Sequence, residues 1–143
     1  MVWRQGEYEL TDDPRRVDLD AVATLLRNTY WAHDRPCERI ATTIENSIAF
    51  SLFHREAQIG FARALTDVGA QSYVCDVVLD DRHRSHGIGT WLMERILDHP
   101  TVRGTRVFLI TRDAQPFYHR LGFVTHPYEC MVLPEPRPKP RGE

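Results

Sequence analysis

The spacing Arg84-x-x-Gly87-x-Gly89 is where residue types and order first suggest chemistry. It follows an apolar run from Tyr73 to Leu79 that stops at Asp80 and Asp81. It opens a segment in which Ile88, Trp91, Leu92 and Ile96 share one helical face. A strand, a charged turn, a glycine loop and a helix start are expected in that order. The first amides of a helix have no intrahelical acceptor, and with the positive end of the helix dipole they converge on one spot. Glycine lets an oxyanion approach them closely. The pattern is either an anion cradle or a plain strand-to-helix turn. Two known phosphate loops do not fit, since a P-loop needs Gly-Lys-Ser/Thr and the dinucleotide fingerprint needs a third glycine. Asp76 stands out as well, because it interrupts the same apolar run. A buried carboxylate must be paired, hydrogen-bonded or functional.

A second segment, Thr111 to Phe123, places Ala114, Phe117, Tyr118 and Leu121 at helical spacing with Gly122 as its stop. On pattern alone Tyr118 is a core aromatic. Taken together, Arg84-x-x-Gly87-x-Gly89 and the stretch ending Tyr118-His119-Arg120-Leu121-Gly122-Phe123 resemble motifs A and B of the GNAT-type acyl-CoA N-acyltransferases. The resemblance runs from about Gly60 to Phe123. It implies the GNAT fold, an α/β (α+β) architecture with a mixed, mostly antiparallel sheet of six to seven strands flanked by about four helices. It also implies an N-acetyltransferase that moves an acetyl group from acetyl-CoA (coenzyme A) directly to a primary amine of a small molecule.

Such a transfer requires a held thioester, a deprotonated amine, a stabilised oxyanion and a protonated leaving thiolate. By the resemblance, the backbone of Val77, Val78 and Leu79 pairs with the pantetheine arm. Arg84, Ser85, His86, Gly87, Ile88, Gly89 and Thr90 form the pyrophosphate loop. Thr111 stands seven residues before the tyrosine, where many members carry Asn, and can hydrogen-bond pantetheine. Tyr118 is the general acid; a phenol titrates near pH ~10 and a thiol near ~8.5, so a phenol can protonate a desolvated leaving thiolate. Asp76-x-x-Leu79 resembles polyamine-acetyltransferase-like members, in which the acid receives the amine or its proton. The competing reading ties Asp76 to a backbone amide or to Arg63. Alternation puts Tyr73 and Cys75 on the face opposite Asp76 unless a bulge intervenes. Neither is a strong base, so a water-mediated base is expected. Tyr30 and Trp31, with His33 and Arg35, fall where the family builds its acceptor pocket; they clasp a cationic or aryl amine, or they are ordinary helix-end packing. With Tyr73 and Cys75 they are the substrate-binding candidates. His83 and His86 are expected to be solvated, and Arg82-His83-Arg84 to attract phosphate.

Composition bounds the alternatives. The chain has 143 residues, 42% of them hydrophobic, and a formal net charge of -2. One domain over 1–133 and a disordered proline-rich tail over 134–143 are expected. There is no global basic field for nucleic acid or a membrane surface. Cys37, Cys75 and Cys130 lack CxxC spacing, which argues against a zinc site or disulfide frame and for reduced thiols in the cytoplasm. Trp3-Arg4-Gln5-Gly6-Glu7 interrupts any signal peptide, and no run reaches membrane-spanning length. Homodimers are common in the family that the motifs resemble. Two further classes of function are an acyl-CoA sensor without turnover and a scaffold that keeps only the fold.

The remaining elements follow from periodicity and turn chemistry. A strand is expected at Glu7–Leu10, and a helix capped by Asp18 is expected to carry Leu19, Val22, Ala23, Leu26 and Tyr30 on one face. A second helix follows Pro36, turns Ile40 and Ile44 inward and closes at Asn46-Ser47. A hairpin joins residues 48–53 to 58–65. The helix begun at Gly87 ends at Asp98-His99-Pro100. Val107–Ile110 reads as a central strand covered on both faces, and one or two strands are expected between Phe123 and Leu133.

Overall fold

The computed structural model describes residues 1–135 and divides the chain into two compact units, Met1–Arg112 and Asp113–Glu143. The first unit holds β1 (Val2–Gln5), β2 (Tyr8–Thr11), α1 (Leu19–Arg27), α2 (Cys37–Glu45), β3 (Ile48–His54), β4 (Ala57–Thr66), β5 (Gln71–Leu79), α3 (Ile88–Leu97) and β6 (Arg106–Phe108). The strands form one sheet in the order β1-β2-β3-β4-β5-β6, antiparallel except for the parallel pair β5–β6. With α4 (Gln115–Arg120) in the second unit, the six strands and four α-helices among the described residues make the expected mixed α/β fold.

Local chemistry accounts for most boundaries. The Asp18 carboxylate accepts from the Ala21 amide at 3.0 Å and caps α1, whose Val22, Ala23 and Leu26 are buried. Pro36 precedes the first turn of α2, and Ile40 and Ile44 form its buried stripe. These two helices cover one face of the sheet, packing on Ala49, Phe61 and Val78. The His99 ring, just past α3, meets Phe50 edge-on at 5.5 Å. Phe50 neighbours Ala49 in β3 and so points to the other face.

Three sequence expectations are corrected. The strand at Tyr8–Thr11 has a partner, β1, which the polar alternation of Val2-Trp3-Arg4-Gln5 concealed; Gly6 at φ +60° turns the chain between them. The run Val107–Ile110 is no central strand. Only Arg106–Phe108 pairs as a strand, it stands at the end of the strand order, and Ile110 is 63% exposed. No strand forms among residues 123–135. The expected tail from Pro134 lies, beyond Glu135, outside the described residues.

The second unit is organised by the end of α4. Gly122, at φ +95°, donates its amide to the His119 carbonyl at 3.0 Å, and Phe123 donates to the Tyr118 carbonyl at 3.1 Å. This is a Schellman closure, with the Phe123 and Tyr118 rings 5.7 Å apart as its apolar clasp. The expected glycine stop is therefore present.

Candidate functional site

The centre of β5 is bent by one extra residue. Phe61 lies opposite Val78 and Arg63 opposite Cys75, so β4 offers one residue between these pairs where β5 has two, Asp76 and Val77. Asp76 takes the left-handed conformation, φ +54°. A non-glycine residue there costs on the order of 1–3 kcal/mol and persists only when its surroundings hold it. Directly paired residues share a face, so Ala49, Arg63 and Cys75 stand on the side covered by α1 and α2. The Asp76 carboxylate reaches the same side, accepting from Arg63 Nε at 2.7 Å. The bulge thus cancels the alternation that would have separated Asp76 from Cys75.

Three donors hold that carboxylate. Oδ2 accepts from Arg63 Nε at 2.7 Å and from an Arg35 terminal nitrogen at 2.6 Å, and Oδ1 accepts from the Trp31 indole at 3.0 Å. The Asp76 side chain is 2% exposed, Arg63 10% and Arg35 20%. Burial raises the carboxyl pKa, but the hydrogen bonds and charges of Arg35 and Arg63 outweigh it, and the net shift is downward. Of the two readings of Asp76, this geometry favours the ion-paired one. Arg63 is the partner that strand pairing makes foreseeable; Arg35 and the Trp31 indole are not, because they arrive from the loop between α1 and α2. A lone acid in an apolar strand is the signal that demands them.

Beside the bulge, β5 has an open edge. Its ladder to β6 covers only Gln71 to Tyr73, opposite Arg106 to Phe108, and stops there. Val77, Val78 and Leu79 extend past it with one side of their backbone facing no strand among the described residues. After Leu79 come a short 3-10 turn, Asp81–His83, and the exposed loop from Arg84 to Gly87. Gly87, at φ +74°, precedes α3 and offers no side-chain cap. The first α-helical bond runs from the Trp91 amide to the Gly87 carbonyl at 3.0 Å, so the amides of Ile88, Gly89 and Thr90 precede the helical ladder. A Cβ on Gly87 would meet nothing within 4 Å, so the space beside Gly87 is open. One member of the expected loop is already committed: the Arg84 amide donates to the Asp81 carbonyl at 3.2 Å. These residues suit a diphosphate attached to an extended amide-bearing arm.

The match to known proteins agrees with this geometry. Residues 45–125 match the family model described as the Acetyltransferase (GNAT) domain. The chain belongs to the GNAT acetyltransferase family. This GNAT chain is 30% identical over 118 residues to the uncharacterized N-acetyltransferase ycf52 of Gracilaria tenuistipitata var. liui, covering 78% of this chain and 64% of that relative. Among solved structures, a GNAT-family protein of Xanthomonas campestris pv. campestris superposes with a TM-score of 0.82 at 29% identity, over 90% of this chain and 96% of the other. N-acetylglutamate synthase from Neisseria gonorrhoeae, complexed with coenzyme A and L-arginine, shares the fold at 19% identity with a TM-score of 0.70, over 85% of this chain and 28% of that one.

The other candidate residues of this GNAT domain fall as follows. Tyr30 and Trp31 form an edge-to-face pair at 5.0 Å and are 42% and 41% exposed. The Arg112 guanidinium lies 3.7 Å from the Tyr30 ring centre, and the Arg112 amide donates to the Tyr30 hydroxyl at 3.1 Å. Tyr73 is exposed on β5, and Cys75 is half-buried with its thiol pushed up to about 11, chiefly by burial. A thiol so placed stays protonated at neutral pH and is no nucleophile. Thr111 is half-buried in the segment after β6, and Tyr118 sits on α4 of the second unit, its ring 5.0 Å from Phe117. His83 is not the solvated turn residue expected: its Nδ1 pairs with the Tyr8 hydroxyl at 2.9 Å and its ring lies 4.9 Å from His54. Arg82 and Arg84 pair with Asp80 and Asp81 at 2.8 Å, so nearby acids offset the basic cluster. None of the helices among the described residues is long and apolar enough to cross a membrane.

Proposed function

We propose that this GNAT chain is an N-acyltransferase that moves an acetyl group from acetyl-CoA to the primary amine of a small molecule by direct attack. The observation that carries the reading is the open edge of β5 at Val77–Leu79, which leads through a short loop into the uncapped start of α3. Bound acetyl-CoA would supply an activated acyl thioester. The backbone of Val77, Val78 and Leu79 offers donors and acceptors to the pantetheine amides, as in strand addition. The amides from Ser85 to Thr90, with the dipole of α3, hold the pyrophosphate. Thr111 adds a side-chain contact to the pantetheine arm.

Proton traffic falls to two groups. Tyr118 carries the proton that the departing sulfur needs. Ordered water takes the proton of the attacking amine, because Asp76 already accepts three hydrogen bonds and its depressed pKa makes it a weak base. Asp76 acts by positioning Trp31 and Arg35 beside Tyr73 and Cys75 on the acceptor side. The test is thiol release from acetyl-CoA over a panel of amines, with wild type and Tyr118→Phe compared. Loss of the acid should lower kcat by about 10²–10⁴-fold and leave coenzyme A binding intact. Undiminished turnover by Tyr118→Phe would remove Tyr118 from the mechanism. Coenzyme A binding without thiol release from any amine would favour an acyl-CoA sensor.

A further inference from the structure

We infer that the acceptor of this transferase is an amine that also carries a carboxylate, recognised by Arg35; the inference rests on the acyltransferase reading. The charge balance around the β5 bulge argues for it. Asp76 contributes one negative charge, while Arg35 and Arg63 contribute two positive ones, leaving one in excess. The neighbouring Cys75 thiol, raised to about 11, adds none at neutral pH. A polycationic acceptor would face a carboxylate that is already neutralised, behind a guanidinium of its own sign.

The two arginines are not equivalent. Arg63 sits deeper, 10% exposed, with Nε on Asp76 and a terminal nitrogen 3.5 Å from the Ser47 hydroxyl. Arg35 is 20% exposed, and among the described residues Asp76 is its only ion-pair partner, engaged through one terminal nitrogen. A guanidinium has five N–H groups in a rigid fork, so Arg35 keeps donors suited to a second carboxylate. Asp76 fixes the fork in place, which lowers the entropy cost of binding one. Trp31, on the same carboxylate and 41% exposed, adds an aromatic wall for the carbon skeleton of the acceptor, braced edge-on by Tyr30, whose ring already carries the Arg112 guanidinium. The excess charge, the partly exposed donor and the aromatic wall all belong to one ion-paired cluster.

Thiol release with matched pairs, phenylalanine with phenethylamine, lysine with cadaverine and γ-aminobutyrate with propylamine, tests this. The carboxylated member of at least one pair should show a kcat/KM higher by roughly tenfold or more, because a charge-assisted bond is lost with the other. Arg35→Gln should abolish that preference through KM, and Arg35→Lys should restore part of it. A rise in melting temperature with coenzyme A shows that each variant is folded; if Arg35→Gln fails it, Arg35→Lys and the wild-type pairs decide. Wild-type preference for the decarboxylated members, or an equal loss on both members of a pair in Arg35→Gln, overturns the inference and leaves the acyltransferase reading standing. No thiol release from any amine overturns that reading, and the inference with it.

Discussion

At the scale of single residues, Asp76 concentrates the tension between local and tertiary preference. Its backbone is left-handed inside a strand and its charge is buried, and both costs are met by Arg63, Arg35 and Trp31. Removing one partner of a buried pair leaves the others uncompensated, so Asp76→Asn should destabilise the fold by about 3–5 kcal/mol, read from urea unfolding. The pH dependence follows from the direction of the shift. The folded carboxyl has a pKa below its unfolded value of about 3.9, so its contribution is fully present above that pH and is lost as pH falls through the folded pKa. Melting temperature should therefore fall below about pH 4 more steeply in wild type than in Asp76→Asn. Parallel acid limbs would show that this carboxylate is not held as described. The sequence signals that Asp76 needs partners, because burying a lone charge in an apolar run costs more than a strand can absorb. It raises a bulge only as a condition on strand alternation and does not place it, since that irregularity depends on side chains from another strand and from a distant loop. The surroundings of His83 are hidden for the same reason: its partners, Tyr8 and His54, lie on other strands.

At the scale of elements, glycines decide one close approach and one left-handed turn. Gly60 lies between Leu52 and Leu79, and an added Cβ would come within 3.0 Å of Leu52 Cδ2 and 3.1 Å of Leu79 Cδ1. Gly60→Ala should cost about 1–3 kcal/mol by overpacking at the strand end that leads to the glycine loop. Gly87 has open space but a left-handed backbone, so Gly87→Ala loses stability through conformation alone, about 1–2 kcal/mol in the same unfolding experiment. The elements themselves were largely legible. Asp18, Pro36, Gly87 and Gly122 act where helix chemistry places them, and the β3–β4 hairpin follows its apolar pattern. The edges of the sheet were less legible. β1 is polar and short, β6 is shorter than its apolar run, and the apolar residues after Phe123 form no strand among the described residues, because pairing there depends on tertiary partners that periodicity does not report.

At the scale of the whole molecule, the proposed ligand, part peptide-like and part diphosphate, would lie along the unpaired β5 edge and reach the uncapped start of α3. Binding to the folded state alone stabilises it, by about 2.7 kcal/mol at a ligand concentration of 100 Kd, so coenzyme A should raise Tm with a concentration dependence set by its Kd. The central claim is where it binds, and amide hydrogen exchange with and without coenzyme A measures that directly. The account predicts slowed exchange confined mainly to the amides of Val77–Leu79 and Ser85–Thr90. Unchanged exchange in both segments, at a coenzyme A concentration that does raise Tm, would contradict it.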